Sequence, residues 1–310
     1  MKTYCIPLYQ TDQGVLYQNT SESMLNEHLQ HLKSKVKLVF TSPPFPLNRK
    51  KRYGNLQGEQ YIKWIAGFAS LLSEYITDDG SIVIEIGNAW EPKLPTMSTL
   101  PLEALLEFKK AGNFHLCQEF VYYNPAKLPT PVQWVNKERI RVKDSFTKLW
   151  WLSKSPRPDA DNRRVLTEYS SKMKKLLSNK SYNSGHRPSQ HKIGDKSFLT
   201  DNGGAIPPNV IIASNTTSSD EYISYCKTND IQLHPARMPE ELPAFFIKFL
   251  TKKDDLVLDP FAGSNTTGAI AELLGRKWVS IEADSKYANG SIGRFISNNS
   301  LVINVEGTGE

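Results

Sequence analysis

Two short segments of this 310-residue chain carry side chains whose types and spacing suit chemistry. In Val39-Phe40-Thr41-Ser42-Pro43-Pro44-Phe45, a polar tetrad closes an apolar run. Pro43 and Pro44 fix φ and lack an N–H, so the loop is stiff and its carbonyls are not drawn into a helix. Ser42 then offers a hydroxyl, Pro43 an outward carbonyl and Phe45 an aromatic face, a set that matches the amino hydrogens and flat ring of a nucleobase. A cytosine amine is a poor nucleophile because its lone pair is delocalised into the ring. Holding its hydrogens at Ser42 Oγ and the Pro43 carbonyl favours a pyramidal nitrogen that can attack a methyl sulfonium. The competing reading is a Pro-Pro pair that merely ends a strand. The chain has no Pro-Cys pair, which argues against cysteine attack on a cytosine ring.

The second segment, Leu256-Val257-Leu258-Asp259-Pro260-Phe261-Ala262-Gly263-Ser264-Asn265-Thr266-Thr267-Gly268, reads as a strand, a tight turn and a helix start. Gly263 can take positive φ and let a ligand lie against the backbone, while the helix start presents unpaired N–H groups. A following apolar run ends at Glu282, 23 residues after Asp259, where a carboxylate can accept from both hydroxyls of a ribose. Asp259 would repel a pyrophosphate but attract an amine or a sulfonium, which favours S-adenosylmethionine over NAD. No GxxxxGK[ST] is present, so an ATP phosphate cradle is disfavoured. A βαβ unit whose acids only cap helices is the structural alternative.

These segments need strands to hold them. Short β-branched and aromatic runs occur at 15–17, 36–40, 81–86, 120–123, 146–152, 256–258 and 278–281. Several are too apolar for a strand with one wet face. Between them, 59–75, 239–250 and 266–274 repeat apolar residues at helical spacing, the first before a Thr77-Asp78-Asp79-Gly80 turn and the last before Gly275. The pattern predicts an α/β fold: a doubly wound, mostly parallel sheet of about seven strands. From 153 to 228 the chain is rich in Ser, Asn, Pro, Lys and Gly, with a helix expected at 163–177. We read 153–230 as an insertion between core halves at 1–152 and 231–310. Ile193, Phe198, Ile206, Val210, Ile211 and Ile212 are candidates for a small satellite core, and a disordered linker is the alternative.

The net charge of +6 is unevenly spread: residues 127–196 hold 17 basic and 6 acidic side chains. Such a block suits a surface that meets a polyanion, with a solvated lysine-rich face as the alternative. No stretch approaches the roughly 18 apolar residues of a membrane span, and no secretory leader is evident. Three unpaired cysteines fit a reducing cytoplasm. His186 and His191 lack a third ligand at useful spacing, so no metal is expected.

Taken together, three motifs resemble those of the DNA amino-methyltransferases of bacterial type II restriction-modification systems, in the permuted β group where the tetrad precedes the cofactor motif. Ser42-Pro43-Pro44-Phe45 matches [SDN]PP[YF], and its serine is typical of the cytosine-N4 branch. Asp259 to Thr267 matches DPFxGSGTT, and His234-Pro235-Ala236-Arg237-Met238-Pro239 resembles the HPA[KR]xP element. The stretch from Gly185 to Asn209 also looks like that of the N4 branch. There are two departures: Asn265 replaces the central glycine of the cofactor motif, and Thr20 beside Asn19 replaces an acid near the cofactor adenine.

The resemblance implies the adenosylmethionine-dependent methyltransferase fold, with the two motifs neighbours at a topological switch point and the insertion as a target-recognition region. It implies catalysis by Ser42, Pro43, Pro44 and Phe45. Cofactor binding falls to Asp259, Phe261, Gly263, Ser264, Asn265, Thr266, Glu282, Thr20, His234 and Pro235. Expected DNA contacts are Arg49, Lys50, Lys51, Arg52, Lys154, Arg157, Arg163, Arg164, Arg187 and Lys192. Glu85 and Asn88 are expected to border the pocket without a proton-transfer role. Trp90, Trp134, Trp150 and Trp151 are core residues or pocket walls.

The expected activity is methyl transfer from S-adenosylmethionine to N4 of a flipped cytosine in double-stranded DNA, protecting a short specific site from a cognate endonuclease that is a functional rather than a physical partner. An adenine-N6 enzyme of the same fold and a non-catalytic DNA-binding protein are the alternatives. A nicotinamide dehydrogenase is opposed by the tetrad. A cytoplasmic, nucleoid-associated monomer or weak dimer is expected.

Overall fold

The computed structural model describes residues 5–45, 56–180, 182, 184–186, 188–194, 198–215 and 220–304. Its strands are Tyr9–Gln10 (β1), Gly14–Gln18 (β2), Val36–Thr41 (β3), Ile76–Ile86 (β4), His115–Tyr123 (β5), Phe146–Ser153 (β6), Gly185–His186 (β7), Lys192–Ile193 (β8), Val210–Ile212 (β9), Leu256–Asp259 (β10), Lys277–Glu282 (β11) and Val302–Ile303 (β12). The α-helices are Ser21–Ser23 (α1), Gly58–Tyr75 (α2), Leu100–Ala111 (α3), Ser171–Asn179 (α4), Glu221–Thr228 (α5), Glu241–Leu250 (α6), Thr266–Leu273 (α7) and Ser285–Ser291 (α8).

Among the described residues, ten strands form one sheet in the order β12-β1-β2-β11-β10-β3-β4-β6-β5-β9. The centre, β2-β11-β10-β3-β4, is parallel throughout. The count exceeds the seven expected because β1, β12 and β9 are edge additions of two or three residues, too short to show a period. β4 also begins earlier than expected: Ile76 already pairs with Val36, and the Thr77–Gly80 stretch is absorbed as a register shift rather than a turn.

Helices cover both faces. α2 turns Tyr61, Ile65, Phe68, Ala69, Leu72 and Tyr75 inward, and its core includes Ile84, Phe108 and Trp150. On α6, Phe246 meets Phe40 of β3 at 5.5 Å and Phe120 of β5 at 4.9 Å. Full burial of each such aromatic stabilises the fold by roughly 1.5–3 kcal/mol, and this packing fixes β3 within the sheet. Gly275 takes φ +70° just past α7, as expected of a helix stop. Trp150 and Trp151 are buried core residues. No helix among the described residues is long and apolar enough to cross a membrane.

β6 runs antiparallel to both β4 and β5, with Ile86 opposite Lys148 and Tyr123 opposite Phe146. The β5–β6 connection, 124–145, is thereby delivered to the sheet edge where β4 ends.

The chain divides into two compact units, Asp161–Pro208 and the remainder. In the smaller unit the helix expected at 163–177 is a 3₁₀ turn at Asn162–Val165 followed by α4, which Ser170 caps through Met173 N–H. β7 pairs with β8, and Tyr182 meets Phe198 edge-on at 5.4 Å. The six-residue satellite core does not form. Val210, Ile211 and Ile212 are β9, an edge strand of the large sheet paired to β5, and Phe198 and Ile206 are exposed. Pairing with an existing sheet satisfies the backbone of that short apolar run, which a cluster of side chains would leave unpaired.

Candidate active site

β3 and β10 are neighbours, pairing Val39 with Leu258, so the two sequence motifs leave the same sheet edge side by side. To one side of that pair lie β11 and β2, to the other β4: this is the switch point where ligands of such sheets sit. Asp259 fastens the junction. Its Oδ1 accepts from Thr41 Oγ1 at 2.7 Å and Phe261 N–H at 3.0 Å, and its Oδ2 from Thr267 Oγ1 at 2.6 Å. The carboxylate is buried, and desolvation raises its pKa from 3.8 to about 6 against the pull of these bonds. The expectation that Asp259 lies open to a ligand is thus corrected: its oxygens are taken by the protein, and what reaches the crevice is its field.

The β10–α7 loop is gripped from several sides. Gly263 has φ +53° and donates its N–H to Glu282 Oε2 at 2.7 Å, while Glu282 Oε1 accepts from Asp284 N–H at 2.8 Å. Burial is the main cause raising the Glu282 pKa, with these two bonds opposing it. The His234 ring lies over the loop: a Cβ on Gly263 would sit 3.1 Å from His234 Nε2, so glycine is needed both for φ and for this approach. His234 meets Tyr287 edge-on at 4.5 Å, and burial lowers its pKa, keeping the imidazole neutral. Pro235 is exposed beside it. Phe261 packs on Trp64 and Phe68 of α2. Ser264 and Thr266 are buried, and Arg294 Nε donates to the Ser264 carbonyl at 2.6 Å. Thr20 caps α1 and is exposed, and the adjoining Ser21 hydroxyl donates to the Pro260 carbonyl.

Asn265, which stands where the related motif has glycine, keeps glycine's conformation with φ +52°. Its side chain does not reach the crevice as expected. Instead it is fully buried, accepting from Ser280 Oγ at 2.7 Å and Gly268 N–H at 3.1 Å and donating to Tyr9 Oη at 2.9 Å.

At the other motif, Pro43 is buried and Phe45 lies over the end of β4, where a Cβ on Gly87 would come within 2.6 Å of its ring. The Ser42 hydroxyl donates to Glu85, which also accepts from Thr147 Oγ1 at 2.9 Å. Glu85 is buried and burial raises its pKa. Sequence reasoning placed Glu85 only at the rim. The available signal was an acid inside the apolar run Ile82-Val83-Ile84-Glu85-Ile86, whose burial needs a polar partner. Asn88 Nδ2 donates to Asp144 Oδ1 at 2.8 Å, tying the end of β4 to the β5–β6 connection. Trp90 and Trp134 face each other at 5.7 Å between the same segments.

The expected DNA contacts scatter. Arg49, Lys50, Lys51, Arg52 and Arg187 lie outside the described residues. Lys154 is misplaced for that role: beyond the end of β6 opposite Ser81, it donates to the Ile76 carbonyl at 2.9 Å at the sheet edge away from Ser42. Arg157 is exposed. In the smaller unit, Arg163 and Arg164 pair with Asp161, and Lys192 is exposed on β8.

The donor set fits S-adenosylmethionine. A buried carboxylate, Asp259, and a partly buried one, Glu282, have no ion-pair partner among the described residues, so a cation in the crevice would relieve both, and the glycine turn between them leaves room for a ligand against the backbone. Residues 36–293 match the family described as DNA methylase. The type II methyltransferase M.PvuII of Proteus hauseri is 44% identical over 295 residues, spanning 94% of this chain and 87% of the relative. A solved structure, PvuII DNA methyltransferase (cytosine-N4-specific), superposes with a TM-score of 0.75 at 38% identity, covering 94% of this chain and 90% of that one. The M1.HpyAVI-SAM complex, at 19% identity and a TM-score of 0.52 over 91% of this chain and 98% of its own, shares the fold.

Proposed function

Because this chain belongs to the DNA methylase family, we propose that it is a site-specific methyltransferase acting on N4 of cytosine in double-stranded DNA with S-adenosylmethionine as donor. The observation that carries this reading is the adjacency of Ser42 and its carboxylate partner Glu85 to the Asp259–Glu282 crevice across one β3–β10 pair. The cytosine-N4-specific relative supports the choice of base, as does serine at the head of the tetrad.

The chemistry follows from where one proton sits. A hydroxyl has one hydrogen and two lone pairs; with its hydrogen given to the neighbouring Glu85 carboxylate, Ser42 would keep its lone pairs to accept from the cytosine amine. With the Pro43 carbonyl as second acceptor, the amine is held pyramidal with its lone pair aimed across the crevice. S-adenosylmethionine would supply an electrophilic methyl carbon there, and Glu282 and the Gly263 turn are the residues that would hold it. Methyl transfer would form the N–C bond as the carbon–sulfur bond breaks with its electron pair left on sulfur, and the cationic nitrogen would release one proton to Ser42 Oγ while the Ser42 hydrogen passes to Glu85. A carboxylate whose pKa is raised by burial is suited to receive it. Phe45, seated on Gly87, supplies the stacking face for the base.

The basic smaller unit at Asp161–Pro208, narrower than the insertion expected at 153–230, would read the target site and hold phosphates, with the rest of the chain doing the chemistry. The protein would work in the bacterial cytoplasm on nucleoid DNA, as a monomer or weak dimer, shielding its site from a cognate endonuclease that it need not touch. Nucleoside analysis of DNA from cells expressing the chain tests the reading. N4-methylcytosine is expected; N6-methyladenine would overturn the choice of base, and unmodified DNA the activity.

A further inference from the structure

The β5–β6 connection carries an unusual surface. Val142 is 87% exposed and Ile140 49%, two β-branched aliphatics set alternately among Lys137, Arg139 and Arg141. Residues 124–145 hold five basic and two acidic side chains. The segment is built rather than frayed. Arg141 donates to the Pro95 carbonyl at 2.8 Å, Lys143 Nζ to the Pro125 carbonyl at 3.0 Å, and the Trp90–Trp134 contact braces it from below. Arg139 has φ +56°, a strained conformation for a residue with a Cβ, of the kind that collects at functional loops. Lys137 and Arg139 are exposed and in no ion pair among the described residues.

Position decides what this surface meets. Thr147 donates to Glu85, and Val142 is five residues from Thr147, so chain reach alone keeps it within about 18 Å of the Thr147 backbone and about 23 Å of that carboxylate. The connection therefore borders the opening through which a flipped base must enter. Aliphatic wedges flanked by cations are what separates stacked bases, because the apolar tip replaces lost stacking while the charges hold the backbone.

Resting on the function proposed above, we propose that residues 137–142 are the segment that enters DNA beside the target cytosine. Ile140 and Val142 fill the space the base vacates, and Lys137 and Arg139 hold the flanking phosphates. This makes them positioning residues, acting on the base through the DNA.

The test compares the parent with the combined Ile140→Ala and Val142→Ala variant in single-turnover methylation. One duplex carries the intact target site, the other the same site with the nucleotide opposite the target made abasic, which lowers the cost of flipping. The variant should be slower by about tenfold or more on intact DNA yet within about twofold of the parent on the abasic duplex, with unchanged adenosylmethionine affinity. Equal rates on intact DNA, or the same deficit on both duplexes, would overturn the wedge. So would loss of self-association in sedimentation with methylation intact, which would assign the face to a second copy of the chain. A parent that methylates adenine refutes the cytosine assignment alone, since the paired comparison then runs at that base.

Discussion

Thr41 Oγ1 donates a 2.7 Å hydrogen bond to Asp259 Oδ1, so the residue before the tetrad holds the acid that opens the cofactor loop, 218 positions later in the chain. The base pocket and the cofactor crevice share a buried joint. Thr41→Val keeps the side-chain shape but removes one of three donors to a buried carboxylate. It should cost about 1–3 kcal/mol in denaturant unfolding and lower adenosylmethionine affinity in calorimetry. Parental values in both would show the joint to be idle.

Asp259 should also leave a signature in pH. Its folded pKa is about 6 against an ordinary 3.8, so the folded state binds the proton more tightly. Stability from this group is full below pH 4 and is lost as pH rises through 6, about 3 kcal/mol in all at 1.4 kcal/mol per unit. Asp259→Asn cannot titrate and should lack that loss. Chemical unfolding of both proteins between pH 4 and 8 measures it; parallel stability curves would count against a raised pKa.

Ser42→Ala and Glu85→Gln separate binding from chemistry. Ser42→Ala removes an acceptor needed most as nitrogen becomes pyramidal, so single-turnover methylation should fall by roughly a hundredfold or more while DNA and adenosylmethionine affinities hold. Glu85→Gln keeps a hydrogen bond to Ser42 but cannot take the proton, and should slow the same step and flatten its pH–rate profile. A Glu85→Gln enzyme at parental speed would reduce Glu85 to an orienting role.

Glu282 binds twice over. Its carboxylate orders the Gly263 and Asp284 N–H groups and is the acceptor available to a ribose. Glu282→Ala should weaken adenosylmethionine binding ten- to a hundredfold, or about 1–3 kcal/mol, with little change in DNA binding. Isothermal titration decides it, and an unaltered affinity would remove Glu282 from the site.

Much of this was legible in the chain itself. Runs such as Ile82–Ile84 and Leu256–Leu258 declare buried strands because no polar residue interrupts them for water, while Pro43-Pro44 declares a loop because its backbone admits few alternatives and Gly263 a turn because it admits positive φ. Residue type also named the chemistry: a hydroxyl, a carbonyl and an aromatic ring ahead of a sulfonium-compatible acid. Tertiary structure decided which polar atoms are spent on the fold and which are left for a ligand. Asp259 and Asn265 sit in a binding motif, yet their hydrogen-bonding atoms are satisfied from within by Thr41, Thr267, Tyr9 and Ser280, residues distant in sequence or unremarkable in it. Glu85 became a partner of Ser42 only because β3 and β4 pair in parallel, and Lys154 was removed from the DNA side only because β6 runs the other way. Strand direction and neighbour order arise from packing between distant segments, and local sequence carries the propensity to be a strand without saying which way it will lie.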